Sequence, residues 1–125
     1  MIKELTILLP VEYVFFEKTI DFYSDVFCLK ATRGVSELGN PFCSFNGLGV
    51  EMVVHTAKPG EFPYPEFRPT GHGLALSFEV LDFGATISRL ETNQVPILNQ
   101  WNYEDGTVGI SVEDPAGNRI ELWGH

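Results

Sequence analysis

The 125-residue sequence is poor in basic residues: it has eight lysines and arginines against 17 aspartates and glutamates, a net charge of −9. Nucleic acids and anionic membrane surfaces bind proteins through lysine and arginine, so the charge argues against both as partners. It is compatible with a cationic small-molecule ligand, and equally with a surface that is charged for solubility.

Cysteine is scarce, and long apolar runs are missing. Cys28 and Cys43 form no CxxC motif and lie in apolar stretches, which predicts two buried thiols in a reducing cytoplasm. The first residues lack the basic start and the cleavage site of a signal peptide, and no apolar run approaches the roughly 18 residues of a membrane span. We therefore expect a single soluble, cytoplasmic domain over residues 1–125.

The signatures of several common enzyme classes are also missing. The sequence has no P-loop, no G-x-S-x-G elbow and no H-E-x-x-H motif, and three histidines give no basis for a Ser/His/Asp arrangement. Gly47-Leu48-Gly49 lacks the third glycine of a dinucleotide-binding loop and opens a strand. These absences leave the apolar patterns as the main source of information.

The apolar patterns show the same order of elements twice. The first half predicts a strand at 3–9, a helix at 14–29, a strand at 30–38, and two strands in FCSF and GVEMVVHT joined by a turn at Asn46-Gly47. A proline-rich loop at 56–72 follows. The second half predicts a strand at 74–80, a helix at 83–93 capped by Asp82, a strand at 95–98, and two strands in TVGISV and NRIELW.

The two halves can be aligned with each other. Leu5 matches Leu74 at an offset of 74 − 5 = 69, and Glu51 matches Glu121 at an offset of 121 − 51 = 70. The sequence therefore predicts an α+β fold of two tandem βαβββ modules, at about 3–55 and 73–123.

Three segments resemble the vicinal oxygen chelate superfamily: TIDFYSDVFCLKA, LALSFEVLDFGATISRLETNQVPIL and VEDPAGNRIELW. This superfamily includes lactoylglutathione lyases, extradiol dioxygenases, and bleomycin- or fosfomycin-resistance proteins. The resemblance covers about residues 3–123. It implies that the two modules form an open, curved mixed sheet with a concave cleft.

The resemblance also implies a metal site, which this sequence fills only in part. Enzymes of the superfamily bind a divalent ion through His, Gln and Glu side chains of the first and last strands of each module. The corresponding positions here are Thr6 (or Glu4 after a shift of two residues), Glu51, Ala75 and Glu121. Alanine has no donor atom and threonine is a poor ligand for zinc or iron, so we expect no metal cofactor. His72 is no ready substitute, because it lies three residues before Ala75 and faces the opposite side of a strand.

The carboxylates that remain predict a ligand site. Asp114 to Asn118 reads as a turn, after which Glu121 and Trp123 share one face of the last strand. That face is either solvated surface or the wall of a cleft, and the resemblance favours the cleft. The candidate ligand-binding residues are Glu51, Glu121, His55, Trp101, Tyr103 and Trp123. His55 is alternatively a residue of the rim, and the aromatic side chains are alternatively packed under a loop.

Two functions remain open. The first is a small-molecule binding protein of the bleomycin-resistance type, which holds a cationic or aromatic ligand in an acidic, aromatic cleft without a complete metal site. The second is a metal-dependent lyase, isomerase or dioxygenase. A homodimer is expected because open sheets leave edges that need covering. Phe62, Tyr64 and Phe67 in the proline-rich loop are candidates for a lid or a dimer contact.

Overall fold

The computed structural model describes residues 1–37, 39–56 and 75–125. The elements in these ranges are β1 Thr6–Val11, α1 Tyr13–Asp25, β2 Lys30–Val35, β3 Pro41–Asn46, β4 Glu51–Thr56, β5 Ala75–Glu79, α2 Phe83–Thr92, β6 Asn99–Asn102, β7 Val108–Glu113 and β8 Arg119–Gly124. The predictions for Phe62, Tyr64, Phe67 and His72 lie outside the described residues. None of the helices in the described ranges has the length and apolar character needed to cross a membrane.

The chain divides into two compact units, Met1–Thr70 and Gly71–His125. Each unit contains an open, four-stranded mixed sheet, with the strand orders β1-β4-β3-β2 and β5-β8-β7-β6. In both sheets the first strand pairs in parallel with the last, and the remaining pairs are antiparallel. The predicted α+β fold of two βαβββ modules is confirmed.

Helix α1 forms because its apolar residues recur at helical spacing and bury one face. Phe16, Ile20 and Tyr23 are at most 4% exposed, and Tyr23 packs against Phe45 of β3 with ring centroids 5.6 Å apart. The helix ends at Asp25, four residues earlier than predicted. The reason is a reversal of the chain near Cys28, which adopts a left-handed conformation with φ 56°.

The two cysteines have different surroundings. Cys43 lies in the core, and burial raises the pKa of its thiol, as expected for a cysteine in an apolar strand. Cys28 is exposed. The prediction that both thiols are buried is therefore wrong for Cys28, because the helix has already ended and the residue lies in the turn that leads to β2.

Helix α2 begins at the predicted cap. The Asp82 carboxylate accepts a hydrogen bond from the backbone N–H of Ala85 at 2.9 Å. The prediction of a strand at 95–98 is wrong, because the strand of this region is Asn99–Asn102. The chain leaves the helix through Gln94 at φ 57°, and Pro96 has no N–H to donate to a strand ladder.

The last turn is built around a buried carboxylate. Asp114 is 4% exposed, and its carboxylate accepts hydrogen bonds from the backbone N–H of Ala116, the backbone N–H of Asn118 and the Asn118 side-chain amide, at 2.9–3.0 Å. Gly117 has φ 87°, which only glycine adopts without strain. The predicted turn is confirmed, and it sets where β8 begins.

Replacing Asp114 with Ala should lower the free energy of unfolding by about 2–4 kcal/mol, because three buried donors lose a charged acceptor. Urea denaturation measures this change. The matched control is Asp105→Ala, since the Asp105 carboxylate accepts the backbone N–H of Thr107 in an exposed turn. Equal losses for the two variants would contradict the structural role of Asp114.

Candidate functional site

Helix α1 packs against one face of the first sheet, and the candidate site lies on the opposite face. On β4, Met52, Val54 and Thr56 are buried, and α1 packs against this strand. The intervening residues, Val53 and His55 among them, point to the opposite face. In register with them are Leu8 of β1 and Phe42 of β3, which belong to the same face.

These side chains line an open cavity of about 450 Å³, which we call the His55 cavity. Its walls are Leu8, Phe42, Val53 and His55, and its rim is formed by Ser36, Glu37 and Asn40. The cavity is therefore apolar within and polar at its edge, the common composition of small-molecule sites.

The rim belongs to the turn between β2 and β3. The backbone N–H of Ser36 donates to the carbonyl of Asn40 at 2.8 Å, and the N–H of Asn40 donates to the Ser36 hydroxyl at 3.1 Å. These bonds fix the backbone of the turn, whose residues Ser36, Glu37 and Asn40 line the same cavity as His55.

His55 is half-buried in this apolar setting. Burial lowers the pKa of its imidazole, and a smaller effect of the Thr56 carbonyl acts in the opposite direction. Nδ1 lies 3.4 Å from that carbonyl oxygen. The cavity therefore favours a neutral imidazole, which can both donate and accept a hydrogen bond.

Glu51 lies on the same face as His55 but outside the cavity lining. It is the first residue of β4, is exposed, and stands opposite Thr6 of β1. The structure thus places two of the predicted site residues on one strand and brings only His55 into the cavity.

The second sheet gathers three other predicted residues. Trp101, Gly109, Trp123 and Glu79 form one row across β6, β7, β8 and β5. The neighbouring row is Asn99, Ser111, Glu121 and Ser77. Paired residues of adjacent strands share a face, so Trp101, Trp123 and Glu121 lie on the face opposite the buried Ile120 and Leu122.

Trp101 covers Gly109. A methyl group built on Gly109 would overlap Nε1 and Cε2 of the Trp101 ring, so the ring lies directly on the glycine backbone. Nε1 is buried and makes no hydrogen bond to any residue that the structure describes. Trp101 is thus partly a packing residue of the sheet, whereas Trp123 is 37% exposed.

Tyr103 lies in the turn between β6 and β7. Its backbone N–H donates to the carbonyl of Thr107 at 2.8 Å, and its side chain is 53% exposed. The turn between β2 and β3 has the same backbone hydrogen bonds, with Ser36 in the place of Tyr103 and Asn40 in the place of Thr107. The offset between the two turns is therefore constant, at 103 − 36 = 67 and 107 − 40 = 67.

The matching turns determine which residues of the two units are equivalent. Phe42 of β3 corresponds to Gly109 of β7 at this offset of 67. Phe42 pairs with His55 of β4, and Gly109 pairs with Trp123 of β8. His55 therefore corresponds to Trp123, at an offset of 123 − 55 = 68.

The offset of 68 also applies to the other residues of β4 and β8, and it corrects the alignment of the two halves that the sequence predicted. Glu121 corresponds to Val53, and Glu51 corresponds to Arg119, both at an offset of 68. The two glutamates lie on equivalent strands, as predicted, but the match of Glu51 with Glu121 is wrong by two residues. Short apolar patterns with a period of two cannot distinguish such a shift, because it leaves every side chain on the same face.

The side chains present do not fit a metal site of the expected kind. Ala75 has no donor and lies opposite Arg119, whereas Glu121 lies opposite Ser77. Within residues 1–37, 39–56 and 75–125, no three His, Cys, Asp or Glu side chains come together in a way that could hold an ion.

Sequence reasoning missed the apolar walls Leu8 and Phe42. Leu8 lies two residues from Thr6, an expected ligand position, so strict alternation along β1 could have identified it. No residue of β3 had been assigned to a face, so Phe42 had no such signal.

The midpoint of His55 titration should lie below the roughly 6.5 of a free imidazole. Because the pKa is depressed in the folded state, the stability that neutral His55 contributes is present above pH 6.5 and is lost as the pH falls through that midpoint. NMR titration of the ring protons measures the midpoint, and the His55→Gln variant should lack the associated loss of stability. A midpoint at or above 6.5 would contradict the buried environment.

Gly109→Ala should destabilise the fold by about 1–3 kcal/mol and change the tryptophan fluorescence, because the new methyl group displaces the Trp101 ring. The control is Gly84→Ala in the first turn of α2, where a methyl group meets only the Asp82 carboxylate, at 3.6 Å. That variant should be neutral or more stable by up to about 1 kcal/mol. Unchanged fluorescence in Gly109→Ala would show that Trp101 does not lie on the glycine.

Solved structures with the same fold include members of several named groups. The chain is similar to an integron cassette protein from the mobile metagenome of V. cholerae, with 18% identity, a TM-score of 0.72, and coverage of 100% of this chain and 96% of the other. It is also similar to a lactoylglutathione lyase from Agrobacterium tumefaciens, with 20% identity, a TM-score of 0.68, and coverage of 96% and 91%. A glyoxalase/bleomycin resistance protein/dioxygenase from Nocardioides gives 17% identity, a TM-score of 0.69, and coverage of 99% and 83%.

No match to the sequence was found among curated proteins. The sequence does match the family model of the Glyoxalase/Bleomycin resistance protein/Dioxygenase superfamily over residues 15–122. This match spans most of both modules and confirms the resemblance in sequence. The chain belongs to the glyoxalase/bleomycin resistance protein/dioxygenase superfamily.

Proposed function

We propose that this protein binds a small organic molecule in the His55 cavity and needs no resident metal ion to do so. The observation that carries the proposal is the cavity itself, an apolar recess with a polar rim on the face of the first sheet opposite α1. Its volume of about 450 Å³ falls within the range of known ligand sites.

The lining indicates the kind of molecule that fits. Leu8, Phe42 and Val53 offer apolar contacts to a ring or a branched chain. Neutral His55 can exchange a hydrogen bond with a polar group of such a molecule. The side chains of the rim, Ser36 and Asn40, can bind a second polar group nearer to solvent.

The second sheet, considered by itself, has the chemistry to attract a cation, separately from the His55 cavity. Trp123 stands between Glu79 and Gly109, and Glu121 lies on the same strand two residues away. An aromatic face next to carboxylates attracts ammonium and guanidinium groups through cation–π and charge interactions. The overall charge of −9 acts in the same direction at longer range.

Metal-dependent catalysis is the second hypothesis from the sequence, and the donor set gives it little support. Thr6 and Glu51 pair with each other, but their counterparts in the second unit are Ala75 and Arg119, neither of which is a metal ligand.

The predicted homodimer stays a prediction, for which light scattering should return twice the mass of the chain.

A fragment screen by NMR tests the proposed function. Rings with one hydrogen-bonding substituent should shift the methyl signals of Leu8 and Val53 and the ring signals of His55. Val53→Phe should abolish these shifts because the larger side chain fills the cavity. Val14→Phe is the matched control, since Val14 is 70% exposed on α1 and lines neither this cavity nor its rim. Fragments that bind both variants equally, or that shift none of these signals, would refute the proposed site.

A further inference from the structure

A second cavity, of about 400 Å³, lies on the helix side of the first sheet, where α1 begins. We call it the Arg33 cavity. Its apolar walls are Tyr13 and Phe16 from α1, Val35 from β2 and Pro41 from β3, and its charged wall is formed by Glu17 and Arg33. Among the residues that the structure describes, it shares no charged or polar side chain with the His55 cavity.

The apolar wall is unusually open to solvent. Phe16 is buried, with 4% of its surface exposed, but Tyr13 is 70% exposed and Val35 is 67% exposed. Two large apolar side chains that flank a recess expose surface that a ligand can cover, and their burial stabilises a complex.

The charged wall has an excess of donors. Arg33 Nη1 and Nη2 each donate to one oxygen of the Glu17 carboxylate, at 2.9 Å and 2.7 Å. This bond lowers the pKa of Glu17 and raises that of Arg33, so both groups stay charged near neutral pH. Both carboxylate oxygens are engaged, whereas the guanidinium has five N–H donors and uses two of them here.

We propose that the Arg33 cavity is a second ligand site, which binds a small aromatic carboxylate. The carboxylate accepts hydrogen bonds from the donors of Arg33 that Glu17 does not use, in the planar geometry that guanidinium groups favour. The ring lies against Tyr13, Val35 and Pro41 and covers their exposed surface. This site is independent of the proposed function, since its polar groups belong to a different face of the sheet.

An anionic ligand fits this cavity better than a cationic one. A cation at Glu17 could use only the lone pairs that Arg33 leaves, and it would stand beside the positive charge of the guanidinium. A carboxylate meets the remaining donors of Arg33, which the bonds to Glu17 already orient. The net negative charge of the protein opposes an anion at long range, and salt screens that repulsion together with the attraction to Arg33.

Phe42 lies at the boundary of the two cavities. It contributes to the lining of both, and its ring lies over Gly34, where a methyl group would overlap the ring. A test of the Arg33 cavity must therefore leave Phe42 and Gly34 unchanged, and it must report on signals that only one cavity contains.

The experiment titrates benzoate into the full-length protein and follows the NMR signals of the Arg33 side chain, Val35 and Tyr13. Benzamide, which has the same shape without the charge, should bind at least ten-fold more weakly. Arg33→Gln should weaken benzoate binding at least ten-fold, and Arg33→Lys, which keeps the charge but loses the planar pair of donors, should be intermediate. The matched control is Arg119→Gln, an exposed arginine of β8, which should bind benzoate as the wild-type chain does.

Equal binding of benzoate by Arg33→Gln and the wild-type chain would overturn the proposal. Equal binding of benzamide and benzoate would also overturn it, and so would benzoate shifts confined to Leu8, Val53 and His55. The denaturation midpoint of each variant is measured in parallel. If Arg33→Gln is unfolded, the comparison of benzoate with benzamide on the wild-type chain decides the matter.

Discussion

One hydrogen-bonded turn, used once in each unit, fixes the register on which the rest of the structure depends. It is closed by a bond of 2.8 Å from Ser36 to Asn40 in the first unit, and from Tyr103 to Thr107 in the second. Because side chains alternate along a strand, the register of this hairpin decides which residues share a face across all four strands. This register determines the lining of the two cavities, the row formed by Trp101, Gly109, Trp123 and Glu79, and the equivalence of residues in the two units.

The two sheets have the same register, but different side chains occupy the equivalent positions. An aromatic ring covers a glycine in equivalent rows, but Phe42 lies on Gly34 in the first unit and Trp101 lies on Gly109 in the second. At the position next to this pair the first unit has His55, in an apolar recess, where the second has an exposed tryptophan. The two modules thus share a common frame, and their open faces carry different chemistry.

Much of the fold could be predicted from sequence, because apolar periodicity and turn residues act locally. The cap at Asp82 and the turn at Asp114 were found from residue types alone, and the structure confirms both. The register could not be found in this way, since a shift of two residues preserves every pattern and misaligned Glu51 with Glu121. Cys28 was assigned to the core for a related reason, because the end of α1 depends on a left-handed residue that no apolar pattern reveals.

The central claim is that the His55 cavity binds an organic molecule without a metal ion. Calorimetric titration of a fragment that binds there, into protein treated with EDTA and into protein supplied with zinc, nickel or magnesium, tests this claim most directly. The same dissociation constant is expected in all samples, because the cavity walls and rim act through apolar contacts and hydrogen bonds. Binding that is lost with EDTA and restored by one of the ions would contradict it and would favour the metal-dependent enzyme.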